Sequence, residues 1–178
     1  MKAWNIDASW TLFLDRDGVI NQRKMGGYIT SKEAFVFEEG VLDALKIIGD
    51  HFHYVFVVTN QQGIGKGIMK ESDLIGIHDY MVAEIEKKGG KITHCYFAPE
   101  LKNDSNSTRK PSSAMALRAK SEFEAIDFEK AIMVGDTDSD ILFGKALSMK
   151  TVRIKTIEPI SVDADLTVDS LRVFAELI

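Results

Sequence analysis

The chain of 178 residues has one cysteine, Cys95, and three prolines, Pro99, Pro111 and Pro159. A single thiol excludes an internal disulfide and any zinc site built from several cysteines. So few prolines leave few forced breaks in regular structure. No apolar run approaches the ~18 residues of a membrane span. The amino terminus lacks a basic start followed by an apolar core, so no signal peptide is expected and the expected location is cytoplasmic. Basic charge is not in excess either: 22 Lys and Arg against 27 Asp and Glu give a net charge of −5, which counts against a nucleic-acid surface.

What is present is globular: 45% hydrophobic and 28% charged residues, too apolar for a disordered chain. The length suits one domain over residues 1–178. Short apolar runs at Trp10–Leu14, Tyr54–Val58, Ile92–Phe97, Ala131–Val134, Thr151–Ile154 and Leu166–Val168 read as strands buried on both faces, because they barely alternate. Helical patterns lie between them at 40–48, 71–88, 112–125, 138–147 and 171–177. The longest sets Leu74, Ile77, His78, Met81, Val82 and Ile85 on one face and stops at Gly89-Gly90. Alternation of this kind predicts βαβ units and a mostly parallel sheet, an α/β fold.

Ligands of such sheets sit beyond the carboxyl ends of the strands. Three predicted strands end in polar groups: Asp15 with Asp17, Thr59 with Asn60, and Asp136. Right-handed crossovers bring these ends to one edge. Asp15-Arg16-Asp17-Gly18 could hold Mg²⁺, attack phosphorus or a carbonyl, or shuttle a proton; it could also be a turn that uses Asp as a local hydrogen-bonding residue. In Asp136-Thr137-Asp138-Ser139-Asp140 a calcium loop fails on spacing, since Ile141 and Leu147 stand where Gly and Glu are required. Asp138 or Ser139 could simply cap a helix there. Gly63-Ile64-Gly65-Lys66-Gly67 lacks the Ser or Thr of a nucleotide P-loop, and reads as a flexible loop with a solvated Lys66. Arg109-Lys110-Pro111 is either a solvated basic pair or an anion-binding one. Cys95 reads as a small strand residue, and His51, His53 and His78 as structural or solvated.

Taken in order, these clusters resemble the haloacid dehalogenase (HAD) superfamily of phosphotransferases. Leu14 to Asn21 is similar to its first motif, Val58-Thr59-Asn60-Gln61 to its second, Lys110 to its third, and Gly135-Asp136 with Asp140 to its fourth. The likeness is closer to the D-glycero-D-manno-heptose 1,7-bisphosphate and histidinol-phosphate phosphatases, through Gly27-Tyr28-Ile29, Phe35 to Gly40, Thr59 to Ile64 and Arg109-Lys110-Pro111. The resemblance implies a Rossmann-like three-layer sandwich without a large cap, since only about twenty residues separate Asn21 from the helix at Gly40. Loops Gln22–Ser31 and Pro99–Thr108 are then expected over the site.

The resemblance further implies a phosphomonoester hydrolase working through an aspartyl-phosphate. Asp15 is the expected nucleophile and Asp17 the acid and base, its pKa raised by neighbouring carboxylate charge. Mg²⁺ is expected on Asp15, the Asp17 carbonyl and Asp136, with Asp140 orienting Lys110 or a water at the metal. Thr59, Asn60 and Lys110 would bind the phosphate and Arg109 a distal group of a small phosphorylated sugar. Relatives often carry a zinc loop; Pro99–Thr108 has neither Cys nor His, so no structural zinc is expected. Thr137 replaces a residue often charged in relatives. No nucleic-acid or membrane partner is expected, and self-association is left open. Competing readings are a histidinol-phosphate phosphatase, with Glu100 and Asp104 as candidates for an amine pocket, a catalytically silent phosphate-sugar-binding module, and a 3′-phosphatase of polynucleotides.

Overall fold

A computed structural model describes residues 4–178. Met1 to Ala3, part of the stretch read for a leader, lie outside the described residues. The strands are β1 (Thr11–Leu14), β2 (Tyr54–Asn60), β3 (His94–Ala98), β4 (Ala131–Gly135), β5 (Lys150–Ile154) and β6 (Leu166–Val168). The helices are α1 (Val41–His51), α2 (Gln62–Gly65, a single turn), α3 (Glu71–Lys87), α4 (Ala114–Glu122), α5 (Asp138–Lys145) and α6 (Leu171–Glu176). All six strands form one sheet in the order β3-β2-β1-β4-β5-β6, and every pairing is parallel.

Central strands β1 and β4 are buried at every residue, which is why their sequences do not alternate. Leu12 and Leu14 face one apolar cluster with Val41, Leu45 and Ile48 of α1, Leu74 and Met81 of α3, and Leu171 and Phe174 of α6. Phe13 faces the other, with Met115 and Ala119 of α4 and Phe143 of α5. Its ring stacks on Phe56 at 5.3 Å between centroids and meets Phe143 edge-on at 6.4 Å. Each fully buried side chain of this size contributes about 1.5–3 kcal/mol. Helices therefore cover both faces, giving the Rossmann-like three-layer sandwich.

Between β1 and α1 the chain forms one 3-10 turn (Lys32–Ala34) and isolated bridges Asp17–Asn21 and Asn21–Phe37, with no cap domain. Helix α3 ends where the paired glycines predict: Gly89 takes φ +84° and the Gly90 N–H returns to the Ile85 carbonyl. Helix α4 is shorter than its pattern suggests. The Ser112 N–H is spent on a turn to Arg109 O at 2.8 Å, and the helix starts at Ala114. Among the described residues no helix is long and apolar enough to cross a membrane.

Candidate active site

Strand order reverses between β1 and β4: β2 and β3 lie on one side of β1, β4 and the later strands on the other. Asp15 leaves β1 at that switch point, and its N–H still bonds the Val134 carbonyl of β4 at 2.9 Å. Gly18 then turns the chain with φ +93°, and a Cβ there would stand 2.4 Å from Asp136 Oδ2. Only glycine lets the first and fourth motifs approach so closely.

Lys110 lies at the centre, 5% exposed. Its Nζ donates to Asp15 Oδ1 at 2.8 Å and to the Val58 carbonyl at 2.6 Å, and pairs with Asp140 Oδ1 at 2.6 Å. Burial alone would lower its pKa; the charges of Asp140 and Asp15 overcome that and hold the ammonium charged. Asn60 positions it by clamping its backbone, accepting from Lys110 N–H at 2.9 Å and donating to Lys110 O at 3.2 Å. Asp140 is also held by Thr137, whose N–H and hydroxyl both donate to Oδ2, at 2.9 and 2.7 Å. This capping box starts α5, so Thr137, not Asp138 or Ser139, is the cap. Asp138 instead pairs with buried Arg153.

Asp17 departs from expectation. Its carboxylate turns toward Arg16 Nη2 (2.9 Å to each oxygen), Asn21 Nδ2 (3.0 Å) and Gln61 Nε2 (2.9 Å). Burial pushes its pKa up, but the Arg16 charge and these donors outweigh it and leave Asp17 below the usual carboxylate value. The anticipated upward shift belongs to Asp15 and Asp136 instead. Arg16 is buried under α3, where its Nη1 meets His78 Nε2 at 3.4 Å. Burial, then the Arg16 charge, pushes His78 down to about 3, so it is neutral.

Asp15 is pushed up to about 6, first by burial and then by Asp140 and Asp17, with Lys110 opposing; Asp136 is pushed up to about 7 by burial, then by Asp15, with Arg23 opposing. One oxygen from each of Asp15, Asp136 and Asp140 lies within 4.8 Å of the others. Lys110 takes one Asp140 oxygen and Thr137 the other, whereas Asp15 and Asp136 each keep one oxygen clear of a side-chain partner among the described residues, so these two are the carboxylates that could hold a cation. The Asp17 carbonyl belongs with them: a single nitrogen, Arg23 Nη2, reaches both Asp17 O (3.1 Å) and Asp136 Oδ1 (2.6 Å). Hard oxygens in a buried acidic pair that repel each other fit Mg²⁺.

A cleft of about 1010 Å³ opens above this floor, lined among others by Arg23, Lys24, Tyr28, Lys66, Lys102 and Arg109. Both expected loops contribute to it; Glu158 and Pro159 beyond β5 were not anticipated. The glycine-rich segment is not a flexible loop. Gly63 to Gly65 lie in α2 and Lys66-Gly67 in the turn after it, with Gly63 buried against the Tyr28 ring and Gly65 close to the Pro99 carbonyl, so close approach explains both of those glycines. Lys66 is exposed and lies over the Tyr28 ring at 5.5 Å. The loop lacking zinc ligands is tied by Thr108 donating to Glu100 Oε1 at 2.8 Å, Arg109 Nη1 to Glu100 O at 3.3 Å, and Lys102 N–H to Gln62 Oε1 at 3.0 Å. Glu100 faces a separate hollow with His94 and Arg118, and neither it nor Asp104 lines the main cleft. Arg16, Asn21, Arg23 and Gln61 escaped sequence reasoning as site residues. Arg16, Asn21 and Gln61 lay inside the quoted motifs without a role of their own, and Arg23 was covered only by the expectation that the loop Gln22–Ser31 lies over the site.

Comparison with known proteins agrees with this geometry. Residues 107–158 match the HAD-hydrolase-like family model. The chain is 40% identical over 133 residues to the D-glycero-alpha-D-manno-heptose-1,7-bisphosphate 7-phosphatase of Campylobacter jejuni, covering 75% of this chain and 74% of that one. It is 31% identical over 156 residues to the D-glycero-beta-D-manno-heptose-1,7-bisphosphate 7-phosphatase of Helicobacter pylori strain J99, covering 87% and 88%. The crystal structure of a D,D-heptose 1,7-bisphosphate phosphatase from B. bronchiseptica, complexed with magnesium and phosphate, superposes with a TM-score of 0.83 at 22% identity, over 94% of this chain and 96% of that one. By its fold, its four motifs and these relatives, the chain belongs to the HAD-like hydrolases, in the family of the D-glycero-D-manno-heptose-1,7-bisphosphate 7-phosphatases.

Proposed function

We propose that this phosphatase hydrolyses one phosphate ester of a small bisphosphorylated sugar, D-glycero-D-manno-heptose 1,7-bisphosphate, with Mg²⁺ and through an aspartyl-phosphate on Asp15. The observation that carries the substrate reading is the charge layout of the cleft. Its floor holds Asp15 and Lys110 for one phosphate, and its wall bears Lys24, Lys66, Lys102 and Arg109, cations suited to a second. A histidinol phosphate would bring an ammonium group to that cationic wall, where among the described residues Glu158 and Asp138 are the acidic side chains outside the floor.

Asp15 attacks phosphorus as the bond to the ester oxygen breaks. Asp17 rotates out of the grip of Arg16, Asn21 and Gln61, takes up a proton away from that cation, and delivers it to the leaving oxygen. It then accepts a proton from the water that attacks the aspartyl-phosphate, releasing inorganic phosphate and restoring Asp15. Thr59 and the Asn60 N–H bind the phosphate, Lys110 neutralises its oxygens, and Arg109 holds the far end of the substrate. When bound on Asp15, the Asp17 carbonyl and Asp136, Mg²⁺ supplies the charge that offsets about 2 kcal/mol of carboxylate–phosphate repulsion at ~4 Å in water, several-fold more at lower dielectric.

A release assay tests this with the alpha and beta anomers of heptose 1,7-bisphosphate, histidinol phosphate and a 3′-phosphorylated oligonucleotide, each with Mg²⁺ or chelator. We expect Mg²⁺-dependent release from a heptose bisphosphate and little from the others. The Asp15→Asn variant should keep its circular dichroism spectrum and lose at least about a thousandfold in kcat, as loss of a nucleophile does. Undiminished turnover by that variant overturns the mechanism; preference for histidinol phosphate overturns the substrate.

A further inference from the structure

Arg23 holds the oxygens that the cation needs. Its Nη2 donates to Asp136 Oδ1 at 2.6 Å and to the Asp17 carbonyl at 3.1 Å. Mg²⁺ must approach such oxygens to 2.0–2.1 Å, and a guanidinium nitrogen in contact with both cannot stay there beside a dication. The arm fits its place closely. A Cβ on Gly18 would lie 3.3 Å from Arg23 Nε as well as against Asp136, so the bare Gly18 leaves room for both. The docking is also incomplete, because Arg23 Nε is buried without a hydrogen-bond partner, which weakens the hold. Arg23 belongs to no helix or strand, its neighbours Gln22 and Lys24 are exposed, and its own side chain is 30% exposed at the cleft. Among the described residues its side chain bonds Asp136 and the Asp17 carbonyl, and these are the contacts that outward rotation must break.

We propose that Arg23 is an intramolecular competitor of the catalytic cation. Docked, it neutralises Asp136 and closes the metal position; loading a divalent cation expels it into the cleft. The inference rests on the Mg²⁺ reading above and adds a residue that sets metal affinity without being a ligand. Apparent affinity is then reduced by the fraction of molecules with the arm docked.

Titration of Mg²⁺ into wild type, Arg23→Met and Arg23→Gln by calorimetry, without substrate, tests it. Both variants should bind Mg²⁺ about tenfold more tightly, the order expected when one partly exposed charge-assisted bond no longer has to be broken. Arg23→Lys, which keeps the charge, should stay nearer the wild-type affinity. In chelator, the thermal midpoint of Arg23→Met should fall below that of wild type, and saturating Mg²⁺ should close the gap. A merely structural arginine would give unchanged or weaker Mg²⁺ binding on removal, and either result overturns the competition while leaving the functional reading in place. Absence of Mg²⁺ binding in wild type and both variants overturns the functional reading, and this inference with it.

Discussion

Asn60 ties two distant parts of the chain together with one amide. Both hydrogen bonds go to the backbone of Lys110, fifty residues later, so the carboxamide sets where the ammonium emerges between Asp15 and Asp140. Replacing it with Ala removes two bonds worth about 1 kcal/mol each. Asn60→Ala should lower stability by about 1–2 kcal/mol in urea titration and kcat by about ten- to a hundredfold, as displaced charge stabilisation does. A kcat equal to wild type would show that Lys110 is placed without it. Asp15, Lys110, Asp136 and Asp140 were legible through the ordered motifs of the family resemblance; taken singly, each also fitted a turn, a helix cap or a solvated basic pair. Asn60 was expected only as a phosphate ligand; its clamp on Lys110, and the hold of Gln61 on Asp17, depend on partners that the sequence does not name.

Helix α3 was legible from its apolar period, yet the same stripe hid a polar member. His78 occupies a core position, and its ring nitrogen meets buried Arg16. Its folded pKa of about 3 lies below the ordinary 6.5, so the unfolded chain binds the extra proton between those values. Stability from neutral His78 is therefore complete above pH 6.5 and is lost as pH falls toward 3. Between pH 6.5 and 5.5 this one residue should cost about 1 kcal/mol, because the unfolded histidine goes from about half to about nine-tenths protonated over that unit. His78→Leu should be less stable at pH 7, having lost its contact with Arg16, but should show a flatter pH dependence from 6.5 to 5.5 in urea titrations. Equal slopes would mean that His78 titrates normally. At α2 the sequence misled, because a Gly-rich stretch signals flexibility and close packing alike until its neighbours are known.

Across the whole molecule the sheet concentrates negative charge at one edge and leaves cations around it. Asp15 and Asp136 have folded pKa values of about 6 and 7, above their unfolded 3.8. The folded form thus binds more protons between pH 4 and 7, and in chelator the two residues lower stability progressively as pH rises through that window. Mg²⁺ should reverse this if it is held on Asp15 and Asp136 as proposed, because it would bind the ionised pair. At a hundred times its Kd, Mg²⁺ should add about 2.7 kcal/mol near pH 7.5, with a smaller gain at pH 5, where the carboxyls are protonated. The readout is the difference in unfolding free energy with and without chelator, in which the contribution of His78 cancels. A gain independent of pH would exclude these two carboxylates as the binding groups.

By itself the sequence determined the parallel α/β class and the expectation that three polar strand ends meet, because apolar runs buried on both faces and right-handed crossovers allow little else, while the four motifs came from the family resemblance. Strand boundaries shifted by a residue or two and α4 shortened by more, since turn hydrogen bonds decide where an element ends. Only the tertiary structure decided that Asp17 is gripped by Arg16 rather than raised by its neighbours, that Arg23 reaches Asp136, and that Glu100 faces away from the cleft. Protonation and pairing depend on which groups share a few ångströms of low-dielectric space, and residues as far apart in the chain as 23 and 136 acquire that relation only when the sheet closes.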